Sequence, residues 1–212
     1  MHVLIVGSHG QIGQRLVRVM NGTEHTTRAM IRHATQRAEM QSLGATEVVI
    51  GDIEGDVSEA LDGCDAVVFT AGSGAETPPE KTEDVDRNGA ISIMDQAVAA
   101  GVRRFVIVSS MNADTPENGP EHMQHYFAAK KAADDHLRST DLEYTIVRPG
   151  RLTDDAGTGH VDIAKTLNRY GEVPRDDVAE VLYTVLSSPN TVGRSFELLA
   201  GDTPIEKAVR GV

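Results

Sequence analysis

Val3-Leu4-Ile5-Val6-Gly7-Ser8-His9-Gly10-Gln11-Ile12-Gly13 stands almost at the start of this 212-residue chain. Its first four residues are all apolar and mostly β-branched, which reads as a strand buried on both faces. Glycine then occupies every third place, and Ile12, Leu16, Val19 and Met20 recur at helical spacing. The stretch is a strand that turns tightly into a helix. Gly7 permits the sharp exit, Gly10 lets backbone come close to a bound group, and Gly13 lets the helix lie against the sheet. The unpaired N–H groups and positive dipole end at such a turn suit a diphosphate. Ser8, His9, Gln11 and Ile12 complete the predicted cradle.

Working outward, similar apolar runs recur at Ala29-Met30-Ile31, Val48-Val49-Ile50, Ala66 to Phe69, Phe105 to Val108 and Tyr144 to Val147, with a weaker one from Phe196 to Leu199. Helical spacing lies between them: Ala90, Ile91, Met94, Ala97 and Val98 share one face, and Val178, Val181, Leu182 and Val185 another. Gly22, Gly44, Gly63 and Gly101 each follow a helical stretch, where glycine takes the left-handed conformation that ends a helix. Continuous strands alternating with helices predict an α/β fold: a Rossmann-type, doubly wound parallel sheet in a three-layer αβα sandwich, one domain over residues 1–212. Two irregular stretches, about 111–124 and 153–174, follow strands and are expected on the substrate side.

In that fold the end of the second strand meets the adenosine ribose, where an acid favours NAD and an arginine the extra phosphate of NADP. The strand ends Met30-Ile31-Arg32-His33, with no carboxylate. Arg32 therefore points to NADP rather than NAD, since a guanidinium pairs with phosphate through two hydrogen bonds. Asp52 and Ile53, after the third strand, are placed beside the adenine. Thr70-Ala71-Gly72, after the fourth, are small enough for backbone to run under the cofactor.

Ser109-Ser110 ends the fifth strand, and Tyr126 and Lys130 follow, four apart and so on one helix face. A tyrosine working as acid/base near neutrality needs its phenolate favoured by about 4 kcal/mol, and an ammonium at about 4 Å supplies that much at an effective dielectric near 20. A depressed Tyr126 is therefore expected, with Ser110 holding the substrate oxygen. Other clusters carry less. His122 and His125 lack further ligands in register for a metal. Asp154-Asp155 point apart, Asp176-Asp177 read as helix-start capping acids, and Cys64 reads as structural.

Composition removes other classes. A net charge of −12 opposes binding to nucleic acid or an anionic membrane. A single cysteine forms no intrachain disulfide, and no apolar stretch is long enough to cross a bilayer. His2 and the first strand follow Met1 directly, so no signal peptide and a cytoplasmic location are expected. The partner expected is a small-molecule substrate; a homodimer is left open.

Taken together, Gly7 to Gly13, Arg32, Gly51-Asp52, Val106 to Ser110, Tyr126 with Lys130, Arg148 to Leu152, Val173 to Ala179 and Phe196 to Leu198 resemble the short-chain dehydrogenase/reductase superfamily, in its atypical, NmrA-like branch. The resemblance implies that Tyr126 donates a proton, Lys130 holds the nicotinamide ribose, Ser110 binds a carbonyl, and Pro149, Gly150 and Leu152 bracket the nicotinamide beside Ser109. It implies an NADP(H)-dependent oxidoreductase. The alternative is a non-catalytic NADP(H)-binding redox sensor, because the branch often loses part of its catalytic set. A nucleotide-sugar epimerase is set aside because those relatives carry a larger carboxyl-terminal substrate domain. Asn88 has no secure counterpart.

Overall fold

The computed structural model describes residues 1–73 and 78–212. In chain order its elements are β1 (His2–Val6), α1 (Gln11–Met20), β2 (Thr26–Ile31), α2 (Arg37–Ser42), β3 (Glu47–Ile50), α3 (Ser58–Leu61), β4 (Ala66–Phe69), α4 (Pro79–Thr82), a π-helical segment (Glu83–Gly89), α5 (Ala90–Ala99), β5 (Arg104–Val108), α6 (Gln124–Ser139), β6 (Glu143–Pro149), β7 (Arg151–Thr153), β8 (His160–Ala164), β9 (Glu172–Pro174), α7 (Arg175–Leu186), β10 (Arg194–Ala200), β11 (Thr203–Pro204) and α8 (Ile205–Arg210).

Nine strands form one sheet in the order β11-β8-β10-β6-β5-β4-β1-β2-β3. The seven from β3 to β10 are parallel neighbours; β8 joins β10 antiparallel and β11 joins β8 antiparallel. The expected Rossmann-type doubly wound sheet is present. Val3 and Ile5 pack with α1, α7 and α8, while Leu4 and Val6 pack with α3, α5 and α6, so both sheet faces are buried and the continuous apolar runs are explained. Gly22, Gly44, Gly63 and Gly101 have φ between +70° and +98°, as helix ends require.

Two expectations are corrected. The stretch 153–174 is not simply irregular: it holds β8, and it holds β9, which pairs with β7 in a small parallel ribbon. Asp176 and Asp177 do lie in the first turn of α7, but they do not cap it. Asp177 accepts from the N–H groups of Thr158 at 3.0 Å and Gly159 at 2.8 Å, and Asp176 from Gly157 N–H at 3.3 Å and Arg15 Nε at 2.7 Å. The acids fasten the loop before β8 onto α1 and α7. Arg104, buried on β5, likewise ties β6 to the end of α7, donating to the Glu143 and Val185 carbonyls and the Thr145 hydroxyl. Burial lowers its pKa to about 10.

Candidate functional site

A cleft of about 400 Å³ opens where β1 turns into α1. Of the predicted residues, Gly7, His9, Gly10, Arg32, Ile53, Thr70, Ala71 and Gly72 line it; Met30, Ile31, Gln36, Gly51, Ser73, Lys81 and Val85 complete the wall. Gly7 sits at φ +82°, and a Cβ there would lie 2.6 Å from the Ala71 nitrogen. A Cβ on Gly13 would lie 2.4 Å from the Gly7 carbonyl. Both glycines are thus required by close backbone approach. No acid occupies the first turn of α1 and no side chain caps it, so its N–H groups stay open toward the cleft. Arg32 is exposed and makes no ion pair among the described residues. A concave, uncapped helix start with an unclaimed guanidinium suits a phosphorylated dinucleotide.

Several predicted side chains serve other ends. Ser8 is fully buried and donates to the Met30 carbonyl at 2.6 Å, holding β2 rather than facing a phosphate. His9 pairs with Glu39 at 2.9 Å. Gln11 is exposed at the start of α1, and Ile12 faces the core. Asp52 is turned into its own loop, accepting from Glu54 N–H at 3.1 Å, and does not line the cleft. Ser109 donates its hydroxyl to buried Asp134 at 2.9 Å. Pro149, Gly150 and Leu152 lie outside this cleft; Gly150 N–H donates to the Leu198 carbonyl and Leu152 packs on the core. Ser110 is half-buried, two residues past the end of β5.

Beside Gly72 lies the polar centre that the sequence did not reveal. Asp86, 0% exposed, stands 2.9 Å from Lys130 Nζ and accepts from Ser73 N–H at 2.9 Å. A Cβ on Gly72 would come 3.1 Å from Asp86 Oδ1, so glycine there leaves room for the pair. Lys130 also donates to the Val108 carbonyl at 3.1 Å, and its ammonium lies 5.7 Å from the Tyr126 ring centre. Burial opposes the lysine's charge, but Tyr126, Asp86 and Asp134 outweigh it and raise its pKa. The expected depression of Tyr126 is not found. Burial raises its pKa; Lys130 pulls down, while Asp86 and Asp134 push up again. The lysine's charge is shared with a carboxylate, and the phenol keeps its proton.

Tyr126, Lys130 and Asp134 follow one another at intervals of four along α6. Asp134 binds Arg148 Nη2 at 2.7 Å, and Arg148 in turn holds Asp114 on the stretch after β5. Burial raises Asp134; Arg148 holds Asp114 below the usual carboxylate range.

A family described as NAD(P)H-binding matches residues 7–189, from the first cradle glycine to beyond α7. The chain belongs to that family. This NAD(P)H-binding chain is 44% identical to the uncharacterized sugar epimerase YhfK of Bacillus subtilis (strain 168) over 99% of both chains. Among solved structures, it superimposes with a TM-score of 0.97 on a candidate NAD-dependent epimerase/dehydratase from Bacillus halodurans, 39% identical over all of both chains. The oxidoreductase ylbE of Lactococcus lactis follows at TM-score 0.87 and 28% identity, covering 100% of this chain and 96% of that one. The NAD(P)-binding character that the expected resemblance implied is therefore upheld. Because the relative named an epimerase is spanned end to end, chain length no longer argues against that chemistry. Among the described residues no helix is long and apolar enough to cross a membrane.

Proposed function

We propose that the chain is a cytoplasmic NADP(H)-dependent reductase of a small carbonyl or related acceptor. The observation that carries this reading is the uncapped start of α1 on the glycine-lined cleft, with the buried Lys130 ammonium beside Gly72 and 5.7 Å from the Tyr126 ring centre. A Tyr126 that keeps its proton at neutral pH can donate it to a carbonyl oxygen as hydride arrives. When bound, NADPH supplies the hydride. Gly7, Gly10 and the start of α1 hold its diphosphate, Arg32 its 2′-phosphate, and Ile53 edges its adenine. Lys130, positioned by Asp86, takes the nicotinamide ribose. Ser110 orients the substrate carbonyl, and Tyr126 delivers the proton. The stretches 111–124 and 153–174 shape the substrate side.

Sugar epimerisation is a second reading, favoured by the name of the Bacillus subtilis relative. It needs the cofactor in its oxidised form, which takes up hydride and returns it in each cycle, and a Tyr126 that also acts as base. The third, a binding-only redox sensor, is favoured by the commitment of Lys130 to Asp86. NADPH oxidation followed by absorbance against a panel of carbonyls separates them. The reductase reading expects turnover that falls by about 10²–10⁴ in Tyr126→Phe, with NADPH affinity retained. Sugar interconversion with the oxidised cofactor supplied, and no net change in its redox state, would establish the epimerase instead. Binding without turnover of any kind would leave the sensor.

A further inference from the structure

A second cavity, of about 430 Å³, lies between the last turn of α6 and the strands β6, β10 and β8. It shares no lining residue with the dinucleotide cleft. Four cationic side chains, Arg138, Arg148, Lys165 and Arg194, line it against one acidic side chain, Asp114. That is an unusual gathering in a chain of net charge −12. Arg148 is divided between buried Asp134 and Asp114. Arg138 reaches the same Asp114 at 3.5 Å, reaches Asp135 at 2.9 Å, and donates to the Ser195 hydroxyl at 3.2 Å. Among the described residues Lys165 and Arg194 are exposed and neither stands in an ion pair. The dipole at the end of α6 accounts for a cation at Arg138. It does not account for Lys165, which follows β8, or Arg194, which opens β10.

Like charges held around one concavity repel each other, and low-dielectric walls focus their field into the space between them. Two of these cations are unpartnered, a third shares a half-exposed carboxylate, and the Ser195 hydroxyl lies beside it. We infer that this cavity binds a small ligand carrying two or more anionic groups, carboxylate or phosphate, through Lys165, Arg194 and Arg138. The site is separate from the dinucleotide cleft and does not depend on the reaction assigned there.

Calorimetry on the full chain at constant ionic strength, titrated separately with citrate and with inorganic phosphate, tests it. Saturable binding of either anion is expected. It should weaken roughly tenfold or more, about 1.4 kcal/mol, in the double variant Lys165→Ala/Arg194→Ala. Both residues are exposed, so the variant should fold, and an unchanged melting curve verifies this. Tighter citrate marks a polycarboxylate ligand, and tighter phosphate a phosphorylated one; either supports the site. Arg32→Ala serves as the control, because the dinucleotide cleft also attracts anions, and it should leave the binding unchanged. Absence of saturable binding, equal affinity in the double variant, or loss of binding in Arg32→Ala alone would overturn the inference.

Discussion

Replacing Asp86 by Asn removes a charge and preserves the shape of a fully buried side chain. At 2.9 Å the Asp86–Lys130 pair attracts by about 6 kcal/mol at an effective dielectric of 20. Desolvation of both ions offsets much of that, so the pair itself adds little net stability. The variant measures something else: a buried ammonium left with the Val108 carbonyl as its remaining partner. Such a lone buried charge costs about 3–5 kcal/mol. In a domain of this size each kcal/mol lowers the melting temperature by about 2–4 °C, so Asp86→Asn should melt about 6–20 °C lower at neutral pH. With its oxygen toward the Ser73 N–H, Asn turns its NH2 toward Lys130, so the ammonium loses an acceptor as well as a counter-charge. Asp86→Asn/Lys130→Met removes both ions and should recover most of the loss. Tyr126 supplies a second readout. Asp86 helps keep its phenol protonated, so in Asp86→Asn the high-pH fall in activity should move to lower pH. Melting of Asp86→Asn within about one degree of the parent would refute the reasoning, because Lys130 would then have found another partner.

Other expectations follow from the same geometry. Arg32→Ala should weaken NADPH by about 10–150-fold, the worth of 1.5–3 kcal/mol for bonds to a charged group, and leave NADH within about twofold; equal loss of both would show that Arg32 serves the diphosphate. Gly13→Ala places a Cβ 2.4 Å from the Gly7 carbonyl, so α1 must shift, and urea unfolding should register about 1–3 kcal/mol together with loss of dinucleotide binding. Arg148 lowers the pKa of Asp114, so the link contributes stability above the ordinary value of 3.8 and loses it as pH falls through the lowered one. Asp114→Asn should cost about 1 kcal/mol at neutral pH, screened by half-exposure, and flatten that part of the acid titration; an unchanged acid profile would count against the link.

The parallel core was legible because both of its faces are covered. A strand such as Val3 to Val6 then needs apolar residues at every position, and the run shows in the sequence. Strand β8 was not legible: His160-Val161-Asp162-Ile163-Ala164 alternates, lies toward the sheet's edge and follows two glycines, so it read as loop. The glycine cradle and Arg32 were legible because backbone approach and charge leave few choices of residue. The destinations of Ser8 and Ser109 were not, since their partners, Met30 and Asp134, lie 22 and 25 residues away and are brought to them only by the fold. Asp86 lies in a π-helical turn ahead of α5, among three acids, Glu83, Asp84 and Asp86, that read together as a solvated helix start. On an α-helical wheel residues two apart lie about 200° from each other, so Asp86 falls opposite Asp84 and Asn88 and on the face of Ala90, Ile93 and Ala97; a carboxylate on that apolar face was the trace of the pair in the sequence, and Asp86 is buried while the other two are exposed. The tyrosine argument failed chiefly because the phenol is buried, and Asp86 and Asp134 add to the rise.

The two rims of the sheet also bear on how the protein behaves when concentrated. One rim is β11, two residues long and ending in Pro204, which has no N–H to offer an incoming strand. The other is β3, four residues long, where Arg37 already donates to the Val48 carbonyl at 2.7 Å. Neither border presents a long row of free backbone groups, so growth by strand addition into fibrils is blunted at both ends, and contacts between copies are left to helices and side chains.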